Sequence, residues 1–410
     1  MLRRQVLQSL ALGAGALACQ RANSVPCAPA AAASAPASRS PRRGALTAPA
    51  THHDVRGVYE AIGPLGDDVF TQRRGRAREL AHEAGATLVF AACGSTSFAY
   101  LVGADFQRSE RLIAFVLPTD GEPFLVAPSF EVERVQKRAR AVRIVGWDES
   151  DDPCRVIRRE LGESRARGGM IIDPATEYAT VMALAHALPA LSPTLGLPGT
   201  RGALLFDALR VAKTSEELTR MRRAIEITED AIASTFDQLE VGMRDADIAR
   251  VIKDEHKKRD VDGGALVQLG PDAALPHGAP SGRVLAAGMV ILIDGGCTFQ
   301  GYWSDISRTR WFFGDQGHEP PPRFREIYRI VHDAQSAAMA RVRPGVPAQE
   351  IDRAARAVIA KAGYGAEFTH RLGHGIGMDG HEAVYMVEGN TRVLEPGFVF
   401  SVEPGIYLPK

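Results

Sequence analysis

The run Met289-Val-Ile-Leu-Ile-Asp294-Gly-Gly limits what this chain can fold into more than any other. An unbroken apolar stretch that ends on an aspartate and two glycines reads as a buried strand that stops at its carboxylate. A second aspartate, Asp305, follows eleven positions later within Tyr302-Trp303-Ser304-Asp305-Ile306. That spacing is just long enough for a hairpin returning the second carboxylate beside the first. Taken alone, Asp294 before Gly-Gly is a turn former. Asp305 is different, because a carboxylate among aromatic residues in a partly buried segment needs a partner.

Two later residues extend the pattern. His374 stands between glycines in LGHGIG, which reads as a loop where the absence of side chains lets the backbone approach a ligand closely. Glu403 ends the apolar, strand-like run FVFSV and is followed by Pro404-Gly405; a buried glutamate there acts as a ligand or as one half of an ion pair. Three carboxylates and one imidazole form the donor set that a pair of first-row divalent cations takes when it holds and ionises water. Asp294, Asp305, His374 and Glu403 are therefore the candidate metal ligands, with Glu403 also the candidate general base. His277 in LPHG, His370 and His381 are candidates for proton transfer, since imidazole titrates near neutral pH. For His277 the competing reading is a turn beside proline. His52 and His53 fall in a linker and carry no expected role.

The remainder of the chain sets the frame. Its 410 residues suggest two or three domains, and 49 basic against 49 acidic side chains argue against nucleic acid or an acidic membrane surface as partner. Five cysteines without CxxC spacing make neither a disulfide framework nor a thiolate zinc site. Residues 1–18 read as an export signal: Arg3-Arg4, a short apolar core, then Ala16-Leu17-Ala18. Twin-arginine and general secretory routes both fit, lipid attachment at Cys19 is a second option, and a basic start without export is a third. Residues 19–68 are an Ala/Pro/Ser-rich tether and linker. Residues 69–203 alternate helix and strand as a small α/β domain without a ligand-like cluster, and 204–410 read as α+β with an antiparallel sheet.

From about Leu209 to Lys410 the chain resembles the pita-bread metallopeptidases, in the Xaa-Pro aminopeptidase and prolidase branch. The motifs that carry the resemblance are KTSEELTRMRRAIEITEDAI, LPHG, DGG, SDISRTR, HRLGHGIGMDGHEA, VEGNTRVLEPG and FSVEPGIYLP. Residues 70–200 are similar, through weaker motifs, to the creatinase-type N-terminal domain. The resemblance implies a curved antiparallel sheet and two divalent ions, manganese first, with zinc or cobalt as alternatives. It implies Asp294, Asp305, His374 and Glu403 as ligands, with His277, His370 and His381 lining the substrate. The implied activity is exopeptidase cleavage of the Xaa-Pro bond at a peptide N-terminus by a metal-bound hydroxide, with Tyr302 and Trp303 expected as an apolar wall for the proline ring. The implied partners are a peptide with proline second and a second copy of the chain, with a membrane reached only through a lipid at Cys19. Such proteins continue past EPGIYLP into a strand bearing an arginine and a metal-bridging glutamate, and the sequence reaches Lys410 before either. The expectation is thus a weakened site holding one ion, an open sheet edge, and no decision between aminopeptidase and dipeptidase. A non-catalytic or weakly active relative that binds peptides or a protein partner is the alternative. A metal-free creatinase-like hydrolase fits poorly, because all three carboxylates stand.

Overall fold

A computed structural model of the chain describes residues 59–194, 205–276, 278, 281–314 and 317–408. The export signal, Cys19, most of the tether and His277 lie outside the described residues.

The first sheet is built from runs too apolar to face water on either side. Its strands are β1 (Ala86–Ala92), β2 (Ala114–Pro118), β3 (Phe124–Pro128), β4 (Arg143–Trp147), β5 (Gly168–Ile172) and β6 (Leu191–Thr194), in the order β4-β3-β2-β1-β5-β6. The β1-β2-β3 pairs are antiparallel, the second through a turn at Gly121, and the outer pairs are parallel. Alternation of side chains sends Val89, Phe115, Leu117 and Leu125 to one face and Leu88, Phe90, Val116 and Phe124 to the other. Helices α1 (Asp67–Glu83), α2 (Thr96–Val102) and α3 (Val132–Arg138) cover the first face; α4 (Pro153–Arg165) and α5 (Tyr178–Ala187) cover the second. Helix α6 (Leu205–Arg210) adds Leu205, Phe206 and Leu209 to the first core.

Helix α7 (Ser215–Asp237) begins with a capping box: Thr214 accepts from the Glu217 amide while the Glu217 carboxylate accepts from the Thr214 amide. It packs with α8 (Asp245–Lys258) on an antiparallel sheet of β7 (Asp262–Leu269), β8 (Met289–Phe299), β9 (Tyr302–Trp303) and β10 (Ile306–Phe312), ordered β10-β8-β7 with β9 also on β8. Helices α9 (Pro322–Met339) and α10 (Ala348–Lys361) follow, the second ending before Gly363 at φ 90°. A short pair, β11 (Gly373–Gly375) and β12 (Glu382–Met386), closes the order. Sequence reading places His374 in a loop; it occupies the middle of β11 instead. Glu403, expected within a strand, sits in an extended segment outside any assigned strand. That segment is fastened to β11 and its flanks by Ile376 N–Val399 O (3.2 Å), Ser401 N–His374 O (2.8 Å) and Glu403 N–Leu372 O (2.9 Å). Pro404 lacks an amide proton, which stops the pairing there.

Candidate metal centre

Three backbone devices hold the candidate donors in place. The β8–β10 register sets Ser307 opposite Asp294, and the Ser307 hydroxyl donates to Asp294 Oδ1 at 2.7 Å. Asp305 occupies the step between β9 and β10. His374 is admitted by glycine: a Cβ on Gly375 would lie 2.1 Å from the Ala383 carbonyl oxygen, so only glycine lets β11 approach β12 this closely.

The imidazole of His374 is the hub. Its Nδ1 donates to the Gly375 carbonyl at 3.0 Å, which turns Nε2 toward Asp305 Oδ2 (3.2 Å) and Glu403 Oε1 (3.3 Å). Ser401, two residues before Glu403 and so on the same side of an extended chain, donates to Glu403 Oε1 at 2.9 Å and accepts from the His374 amide at 3.0 Å. The His381 ring lies against that of His374 with centroids 3.8 Å apart. Asp305, His374 and His381 each offer a donor atom within 4.8 Å of the others. His370 is turned away: Nδ1 donates to the Arg371 carbonyl (2.7 Å), and Nε2 meets the Tyr407 hydroxyl (2.8 Å).

The electrostatics follow from this packing. Burial works to lower the pKa of His374, but the hydrogen bonds to Asp305 and Glu403 overcome it and push it up to about 9. For Glu403 burial works upward, and the hydrogen bonds from His374 and Ser401 outweigh it, leaving the carboxyl below its usual value. His381 is lowered by burial and by the positive charges of His374 and Arg371. Tyr407 is pushed up to about 12 by burial and by the charges of Glu403 and Asp294. A proton on His374 thus answers the acids around it, and a divalent cation answers the same field more strongly. Carboxylate oxygens with one or two imidazoles suit such an ion, so the residues fit the metal that the resemblance implies.

The proline-wall expectation for Tyr302 is corrected. Tyr302 is 2% exposed, and its hydroxyl lies between Glu217 Oε1 (2.9 Å) and Arg73 Nη2 (2.6 Å), so it belongs to a buried ionic core. Sequence reasoning missed Ser307, Arg371, Ser401 and Tyr407. Ser401 was accessible from its period-two spacing to Glu403; the other three become visible only in space.

Residues 219–410 match the model of metallopeptidase family M24, and residues 73–211 match the creatinase/prolidase N-terminal domain. The chain is 35% identical over 319 residues to the probable dipeptidase PepE of Mycobacterium bovis, covering 76% of this chain and 80% of that protein. It is 34% identical over 320 residues to the Xaa-Pro dipeptidase of Lactobacillus delbrueckii subsp. lactis, covering 77% and 84%. The crystal structure of dipeptidase PepE from Mycobacterium ulcerans matches with a TM-score of 0.75 at 32% identity, covering 85% of this chain and 91% of that one. With a creatinase-type domain ahead of a pita-bread domain, this chain is a peptidase and belongs to metallopeptidase family M24.

Proposed function

We propose that the chain is a metal-dependent exopeptidase that hydrolyses the Xaa-Pro bond at the N-terminus of short peptides, an Xaa-Pro dipeptide included. The observation that carries this reading is His374 Nε2 held 3.2 Å from Asp305 and 3.3 Å from Glu403, with the tilted ring of His381 against it. The name of the L. delbrueckii relative supports the Xaa-Pro bond, and that of the M. bovis relative supports a short peptide as substrate. Asp294, Asp305, His374 and Glu403 are the proposed ligands, with manganese favoured by the oxygen-rich set. Bound there, a divalent cation supplies Lewis acidity and lowers the pKa of water toward neutrality.

The protein's own groups then have defined tasks. Glu403, kept ionised by its hydrogen bonds from His374 and Ser401, accepts the proton of the attacking water. His381 Nδ1 faces the Arg371 guanidinium at 3.5 Å and accepts, so the proton of a neutral His381 sits on Nε2. That N–H is the donor for the carbonyl oxygen as it gains negative charge. Both nitrogens of His370 are engaged, so we assign it to holding Tyr407 rather than to proton transfer.

The test is hydrolysis of Ala-Pro and of a longer Xaa-Pro peptide by the metal-loaded chain, with metal counted per chain. His374→Ala is expected to abolish cleavage of both, and retained cleavage in that variant overturns the assignment. A wild-type chain that binds metal and peptide without cleaving identifies the non-catalytic alternative. Export through residues 1–18, lipid attachment at Cys19 and assembly into a homodimer belong to the same proposal. Cell fractionation and light scattering test them.

A further inference from the structure

His381 stands between two acids, Asp379 and Glu382, and both are held by cations from one short stretch of chain. Glu382 Oε1 accepts from Lys213 Nζ at 2.5 Å, with side chains only 2% and 3% exposed. Arg210 Nη2 lies 3.4 Å from Glu382 Oε2 and 2.6 Å from Asp379 Oδ2. Asp379 Oδ1 also accepts from the Thr96 hydroxyl at 2.5 Å. Arg210 ends α6 and Lys213 precedes α7, so both cations come from the connector between the two domains; Thr96 opens α2 in the N-terminal domain. The backbone of the His381 segment is folded onto this group: a Cβ on Gly377 would meet Glu382 Oε1 at 2.4 Å and Lys213 Cε at 2.9 Å. The amide of Gly377 closes the turn on the Asp379 carbonyl at 3.0 Å.

A buried ion pair is a poor source of net stability, because desolvation cancels most of the attraction. Two apolar side chains would fill the same space at no such cost. What the charged pair supplies is geometry, since Lys213 Nζ and Glu382 Oε1 meet at hydrogen-bond distance in one arrangement only. We infer that the Lys213–Glu382 pair, extended through Arg210 and Asp379 to Thr96, is a positioning device that sets His381 against His374, and that the N-terminal domain thereby helps to fix the catalytic geometry. Among the described residues Lys213, Glu382, Asp379 and Thr96 make no hydrogen bond or ion pair with Asp305 or His374; they act through the backbone on either side of His381. The inference rests on the reading that His381 serves peptide-bond cleavage.

The test compares the full chain with the double variant Lys213→Met/Glu382→Gln and, separately, Thr96→Val. The double variant leaves no buried charge unpaired, because Arg210 keeps its bond to Asp379. Cobalt(II) is titrated into each protein, and its affinity and visible absorption are recorded beside kcat and KM for Ala-Pro and the thermal midpoint of the apo chain. The double variant is expected to keep its midpoint, to lose about 10- to 100-fold in cobalt affinity or kcat, the usual effect of disturbing groups behind a metal site, and to show an altered cobalt spectrum. Thr96→Val is expected to move the same readings in the same direction by less, with Thr96→Ser restoring them. A folded double variant with wild-type cobalt affinity, spectrum and kcat overturns the inference. If the double variant does not fold, Thr96→Val decides alone, and wild-type readings there overturn it equally. If the wild type cleaves no Xaa-Pro peptide, the functional reading fails, while the cobalt readings still judge the positioning role.

Discussion

The two sheets of this protein use their strand positions in opposite ways. In the N-terminal sheet every residue of β2 and β3 is buried, and the alternating faces feed two separate cores of aliphatic and aromatic side chains. In the catalytic sheet β8 carries Asp294, two glycines and Cys297 within one strand, and it stays half-buried over much of its length. Its interior contains a polar group: Thr228 Oγ1 contacts Ser304 Oγ at 2.8 Å, Cys297 Sγ at 3.3 Å and His256 Nε2 at 3.3 Å. One sheet is selected for packing, the other for the placement of donors at a tolerable cost in packing. The division predicts that damage to the first lowers stability while damage to the second lowers metal binding and turnover.

The sharpest break of that symmetry is His374→Ala. Activity is expected to fall below detection, and the thermal midpoint of the metal-free chain to fall only by the loss of the His374 bonds to Asp305 and Glu403; calorimetry beside a hydrolysis assay checks both. Phe90→Ala is the mirror experiment. Phe90 is fully buried in the second core, and its loss is expected to cost about 3–5 kcal/mol in denaturant unfolding while activity per folded molecule stays unchanged. A loss of specific activity there would tie the N-terminal core to the site more tightly than packing requires. Gly375→Ala lies between these cases. The added methyl meets the Ala383 carbonyl oxygen at 2.1 Å, so β11 must shift, at about 1–3 kcal/mol of overpacking strain. Metal affinity, measured by titration, is expected to fall with it.

What could be read from the chain divides along the same line. The N-terminal strands announce themselves through apolar runs, and the ATLVFAA run coincides with β1 over its whole length. The β8–β10 hairpin was equally legible, because Asp294-Gly-Gly and the SDISRTR run sit at hairpin spacing. Glu403 was misplaced locally because its apolar flank has the composition of a strand, whereas its pairing runs to β11 on one side and ends at Pro404. The contacts that give the site its form were not legible at all. Arg73 reaches Tyr302 across 229 positions and Lys213 reaches Glu382 across 169, and each side chain alone has the look of a solvated charge or a core aromatic. Periodicity reports which face is buried; it does not report which buried charge meets which.

The smallest expected effect concerns a charge that serves stability rather than the site. Glu255 sits near the C-terminal end of α8, where the helix dipole disfavours an acid. Burial also works to raise its pKa, but hydrogen bonds from Lys258 Nζ (2.6 Å), Arg259 Nη1 (2.7 Å) and Gln238 Nε2 (2.9 Å) prevail and hold it at about 2. A carboxyl depressed on folding contributes stability that is present above its ordinary value of 4.5 and is lost as pH falls through about 2. The thermal midpoint of the metal-free chain is therefore expected to decline between those limits, and Glu255→Gln to flatten part of that decline while lowering the midpoint at neutral pH. Metal affinity at neutral pH is expected to be the same in both proteins, since Glu255 is bonded to Gln238, Lys258 and Arg259 and not to Asp305, His374 or Glu403. If Glu255→Gln instead weakened metal binding, α8 would have to be counted with the site, and the line between the packing sheet and the donor sheet would run elsewhere.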